Sequence, residues 1–227
     1  MRVDAASRDI RLMASAAIMT LAIATIEAGG WVTITVTDVP EYVIAGRPVM
    51  LTYGVRQHGR HPLDGLAGMI EARAGNSVVR AAATPAVEPG HYLVTITLPR
   101  PGEWSIDILS GFSGSLNASR MTLIAIDERQ PPPARTDADR GKQLFLAKGC
   151  HTCHRHDGVE GRSTGAGENL TTKRYDPDYL TRFLAHPPQR EPYVPGEWQM
   201  PDLKLRANEI APLVAFLNSG APSAAQR

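Results

Sequence analysis

From Trp31 to about Ile126 apolar and polar positions alternate one for one, the period of a sheet with one buried face. Val32, Ile34 and Val36 alternate with threonines, and Val49, Leu51, Tyr53 and Val55 continue the pattern. Tyr92, Val94, Ile96 and Leu98 give a third run, and Trp104, Ile106 and Ile108 a fourth. Turn chemistry at Ala45-Gly46-Arg47-Pro48, Pro89-Gly90 and Pro101-Gly102 separates the runs. Weaker strands at Met69 to Ala72, Val78 to Ala82 and Met121 to Ile126 bring the expected count to about seven, which suits an antiparallel β-sandwich over residues 30–128.

The alternation stops at Asp127. In Gln130-Pro131-Pro132-Pro133-Ala134-Arg135 three successive positions lack an amide donor, so residues 129–138 are expected to form a stiff extended linker and the domain boundary. Beyond it the period becomes helical. A first helix begins at Asp139-Arg140-Gly141-Lys142 and is expected to end in the two cysteines, Cys150 and Cys153. Asp176-Pro177-Asp178 starts a second, with the proline in the first turn, where its missing donor costs nothing; His186-Pro187-Pro188 stops it. A third runs from about Ala207 to Asn218 with Ile210, Leu213, Val214 and Leu217 on its apolar face, Asn208 expected as its cap and Gly220 as its close. Residues 139–220 therefore read as an all-α domain, and the chain as a multidomain β + α protein.

The N-terminus carries Arg2, Arg8 and Arg11, an apolar run from Leu12 to Ile26, and then Glu27-Ala28-Gly29-Gly30, the order of an export signal. As a helix that run is about 22 Å long at 1.5 Å per residue, short of the roughly 30 Å hydrocarbon core. Residues 1–28 are expected to be a cleaved signal peptide, with retention as a membrane anchor the alternative. The remainder is expected to be periplasmic or otherwise extracytoplasmic.

Composition narrows the chemistry. The net charge is +1 with 43% hydrophobic residues, so no polyanionic partner is implied and nucleic-acid binding is not expected. Only two cysteines occur, too close for a disulfide framework and without the second half of a zinc site. Cys150-His151-Thr152-Cys153-His154 is C-x-x-C-H: two thiols on one turn can each add to a haem vinyl group while the next histidine points at the iron. The bland alternative is a dithiol used in thiol exchange. His58, His61 and His91 with Met50, Met69 and Met121 could be pictured as a copper site in the sandwich, but His58-Gly59-Arg60-His61-Pro62 reads better as a polar turn, and no cysteine is there for a blue-copper centre.

Two resemblances add to this. Through Ala45-Gly46-Arg47-Pro48, Val55-Arg56-Gln57-His58-Gly59, Pro89-Gly90-His91-Tyr92 and Pro101-Gly102-Glu103-Trp104, the first domain resembles immunoglobulin-like extracytoplasmic sandwiches of the YtkA-like and FixH-like kind. Through Gly141, Phe145, the C-x-x-C-H motif, Gln199-Met200-Pro201 and Phe216, residues from about 136 to 220 resemble class I c-type cytochromes. That resemblance implies one covalently bound haem c, thioethers from Cys150 and Cys153, His154 as proximal ligand, Met200 as distal ligand, and crossing first and last helices. His151, His156 and His186 are the rivals to Met200. The family's Gly-Pro-x-Leu turn, whose proline carbonyl accepts from the proximal histidine, is here Gly167-Glu168-Asn169-Leu170, so either the Glu168 carbonyl or its carboxylate could meet the imidazole.

The expected activity is single-electron transfer by a non-enzymatic carrier, to or from redox proteins such as a membrane respiratory complex, with the sandwich as a docking module. Two alternatives differ in kind. A peroxidase-like haem enzyme needs an open iron position, against which Met200 argues. A copper-handling sandwich would use the cytochrome as its reductase.

Overall fold

A computed structural model of the protein describes residues 30–113, 118–159, 163–189 and 199–219. The expected export segment and Gly220 lie outside these residues.

Every expected strand is present, and three two-residue strands join them. One sheet carries β1 (Val32–Val36), β3 (Pro48–Gln57), β8 (His91–Thr97) and β7 (Thr84–Pro85) in that order, with β4 (His61–Pro62) also on β3. The other carries β2 (Val43–Ile44), β10 (Ala118–Ile126), β9 (Gly102–Leu109), β5 (Met69–Ala74) and β6 (Ser77–Ala82). All pairings are antiparallel except β2 with β10. The alternating residues face inward: Leu51, Tyr53, Val55, Trp104, Ile106, Ile108 and Leu123 are almost fully buried. The Trp104 indole N–H donates to the Arg100 carbonyl at 3.1 Å, so the largest buried ring keeps its polar handle satisfied.

β1 departs from the alternation. Its valines and isoleucine face the sandwich core, yet Thr33 and Thr35 on the opposite face are buried too. The helical half covers that face. Helices α1 (Asp137–Ala147), α2 (Cys150–Cys153), α3 (Pro177–Ala185) and α4 (Ala207–Ser219) make up this half, and α1 lies against β1 and β10. Polar ties stitch the contact: Arg140 Nη2 donates to the Val39 carbonyl at 2.6 Å, Gln143 Nε2 to that of Thr122 at 2.7 Å, and Lys148 Nζ to that of Thr37 at 2.7 Å. The linker expected over residues 129–138 does not hold the halves apart: one continuous apolar cluster runs through both. The proline segment also packs, with the Tyr42 hydroxyl donating to the Pro133 carbonyl at 2.7 Å.

Within the helical half, Thr136 and Asp139 cap α1 reciprocally in a capping box. α1 and α4 cross tightly at Gly141, where an added Cβ would lie 2.6 Å from Phe216 Cβ; Phe145 and Phe216 rings meet nearby at 5.5 Å. Asp176 caps α3, its carboxylate accepting from Tyr179 N–H at 2.7 Å. α4 begins at Ala207 with the Glu209 side chain accepting from Arg206 N–H at 3.1 Å, so Asn208 lies inside the helix, which corrects the expectation that it caps it. Pro212 consequently stands in the helix interior.

Candidate haem site

The cysteine motif does not end α1. α1 stops at Ala147, Gly149 turns the chain in the left-handed region at φ 77°, and Cys150–Cys153 form a separate single turn. The glycine is required twice over, because a Cβ there would also lie 2.8 Å from Thr33 Cγ2 of β1. This turn directs both thiols and then releases His154 into extended backbone at φ −101°, ψ 139°.

His154 Nδ1 lies 2.9 Å from the Glu168 carbonyl oxygen. A carbonyl only accepts, so Nδ1 carries the proton and Nε2 keeps the lone pair that a metal ligand needs. The loop that supplies this carbonyl is tied back to the motif: Gly167 N–H donates to Cys153 at 3.0 Å and Leu170 N–H to Arg155 at 2.9 Å. Gly167 packs directly under the imidazole, where a Cβ would come within 2.6 Å of Cε1. The Glu168 carboxylate turns away to Lys173 and to the Tyr175 hydroxyl, and those hydrogen bonds hold it below the usual carboxylate range. Of the two possibilities the sequence left open at this position, the carbonyl meets the histidine.

Met200 is a partly buried side chain packed on the core. Its backbone is anchored by Gln189, whose Nε2 donates to the Met200 carbonyl at 3.0 Å and to that of Pro187 at 2.9 Å. Cys150, His154, Glu168 and Met200 line two adjoining cavities of about 230 and about 200 Å³. Phe145, Leu180, Leu184, Leu213 and Leu217 complete the deeper one. A crevice with apolar walls, two thiols on one turn and a lone-pair nitrogen inside it suits a planar, largely apolar macrocycle held by thioether bonds. Cys150, Cys153, His154 and Met200 are the residues that would hold it, and iron bound there would supply one-electron redox chemistry. Burial pushes the Cys150 thiol up to about 12 and raises that of Cys153 as well, which starves both of the thiolate that thiol exchange requires.

The rival histidines stand elsewhere. His186 caps the end of α3, its N–H donating to the Arg182 carbonyl at 3.0 Å. His156 packs on Phe216 with ring centroids 4.4 Å apart. His151 lines a neighbouring solvent-open depression. The sandwich histidines do not gather: His91 is buried on β8 with Nδ1 3.0 Å from the Pro89 carbonyl, His61 is exposed on β4, and among the described residues no group of three or more His, Cys, Asp or Glu is placed to hold a metal.

Sequence reasoning missed one side of the crevice. Trp31, Thr33, His58 and Gly59 of the sandwich line the same cavity as Cys150 and Met200. Thr33 has a buried hydroxyl without a hydrogen-bond partner, as expected beside a space meant for a ligand. The only sequence signal was Thr33 and Thr35, read as the solvent side of a strand.

Residues 138–221 match the family model described as cytochrome c. The match supports a c-type cytochrome domain in the helical half, and with it a haem electron carrier with covalently bound haem c. No curated protein matches the chain. Among solved structures it is similar to the Lin-41 filamin domain, at 17% identity and a TM-score of 0.35, covering 42% of this chain and 91% of that one. It is also similar to superoxide reductase (neelaredoxin) from Ignicoccus hospitalis, at 18% identity and a TM-score of 0.28, covering 41% and 80%. A third likeness is the CARDB domain of the PF1109 protein from Pyrococcus furiosus, at 11% identity and a TM-score of 0.28, covering 43% and 94%.

Proposed function

We propose that this protein is an exported monohaem cytochrome of class I type that passes single electrons to or from a membrane-bound redox complex and catalyses no substrate transformation. Cys150 and Cys153 form the thioethers, His154 is the proximal ligand and Met200 the distal one. A neutral, soft thioether favours ferrous iron and sets a higher potential than a second imidazole would. The reading rests on one observation above all: Cys150, His154 and Met200 converge on one apolar crevice, with His154 Nδ1 already committed to the Glu168 carbonyl at 2.9 Å.

The protein works on the extracytoplasmic side. No helix among the described residues is long and apolar enough to cross a membrane; the N-terminal segment, where it is retained, supplies the anchor. The immunoglobulin-like sandwich, of YtkA-like or FixH-like kind, serves as the docking module. Because it packs directly on the cytochrome domain, it presents the haem to a partner as part of one body, and orientation comes from the shared surface.

Covalent attachment gives the decisive test. Haem should stay with the polypeptide through denaturing electrophoresis, and Cys150→Ser with Cys153→Ser should abolish that retention completely. A double variant that keeps its haem under denaturing conditions overturns the assignment.

A further inference from the structure

The sandwich touches the cytochrome domain at the two points that govern ligation. Strand β1 presses on the turn ahead of Cys150, where Gly149 leaves no room for a side chain against Thr33 and Ile34. The turn after β3 borders the same cavity as the distal methionine, which Trp31, His58, Gly59, Met200 and Pro201 all line. In that turn His58 holds φ 51°, a region few non-glycine residues adopt, while Gly59 takes φ 73° at no steric cost. His58 N–H donates to the Trp31 carbonyl at 3.0 Å, and the two rings meet edge to face at 5.6 Å. Between these contacts Trp31 itself lines the cavity with Cys150, Cys153 and Met200.

We propose that Trp31, fixed by His58, is a positioning residue of the haem site, closing the crevice that Cys150 and Met200 line so that Met200 stays seated and water stays out. The inference rests on the haem reading above. It makes the sandwich a working wall of the cofactor site in addition to a docking surface. Two physical consequences follow. An indole wall lowers the local polarity, which disfavours the more highly charged ferric state and raises the potential. A filled wall beside Met200 also lowers the population of molecules whose distal position is open.

The test uses the full-length holoprotein and two readouts: the midpoint potential, and the affinity of the ferric form for added imidazole, which binds only when Met200 departs. Trp31→Ala should lower the potential and tighten imidazole binding about tenfold, the factor by which the open state gains population. Trp31→Phe, which keeps an aromatic wall, should restore most of both. His58→Gly suits the left-handed backbone and removes the imidazole that steadies the indole and lines the cavity beside it, while the indole itself stays, so it should shift both readouts in the same direction by less. If Trp31→Ala fails to accumulate, His58→Gly alone decides the matter. Wild-type potential and imidazole affinity in whichever of these variants accumulates overturn the proposal. Haem retention through denaturing electrophoresis is scored in parallel: its absence from the wild-type protein condemns the cytochrome reading, whereas retention with unchanged readouts condemns only the wall.

Discussion

In the sandwich, Trp104, Ile106, Ile108 and Leu123 share an interior with Ile34, Leu51 and Tyr53, and their near-zero exposure leaves no space for a ligand. In the helical half, the apolar faces of α1, α3 and α4 surround a cavity instead, with Phe145, Leu180, Leu184, Leu213 and Leu217 on its walls. The sandwich fills its core with its own side chains. The helical half is shaped around something it must acquire. A short domain with a hollow centre loses both hydrophobic burial and dispersion contacts, and here two other features make up part of the deficit: the covalent cofactor it is built to take, and the sandwich it leans on. The difference explains why the boundary between the halves is a packed interface.

The junction is the place where the comparison can be broken. Lys148 and Glu209 are almost completely buried and paired at 2.8 Å, and Lys148 also reaches the Thr37 carbonyl of the sandwich. Lys148→Met leaves the buried Glu209 carboxylate with Arg206 as its partner and should cost up to about 3–5 kcal/mol, whereas replacing both Lys148 and Glu209 by apolar residues should recover much of it. Denaturant titration of the two variants checks this. The loss should fall on the helical half and the interface, with β8 and β9 keeping their hydrogen-exchange protection.

A smaller effect sharpens the same point through pH. Burial pushes the Glu209 carboxyl up, but hydrogen bonds from Lys148 and from the Arg206 backbone outweigh it and hold the group below the ordinary carboxylate range. A depressed carboxylate contributes stability that is present above its unfolded pKa and is lost as pH falls through the folded one. Stability should therefore decline on acidification below the ordinary carboxylate range. Glu209→Gln should flatten that decline, measured as the pH dependence of the unfolding midpoint.

Much of this was legible in the chain. Alternation of period two marked β1, β3, β8 and β9 because each buries one face against its own domain, and Asp176-Pro177 marked α3 because capping is local. C-x-x-C-H located the cofactor site because its chemistry needs adjacent residues. What escaped notice depends on contacts between distant segments. Thr33 and Thr35 read as solvent-facing, since nothing near them in sequence reveals that α1 covers them. β2, β4 and β7 have two residues each, too few for a period to appear. His58-Gly59 read as a polar turn, which it is; its place in the wall of the cavity that Met200 lines follows only from how the two halves dock.

The account stands most directly on Met200 as the distal ligand. In the proton magnetic resonance spectrum of the reduced holoprotein, a methionine methyl seated on the iron lies over the haem ring and should be shifted far upfield, clear of every other methyl resonance. Met200→Ala should remove that signal and leave the covalently attached haem in place. A reduced spectrum without such a methyl, or one that keeps it in Met200→Ala, would contradict the account.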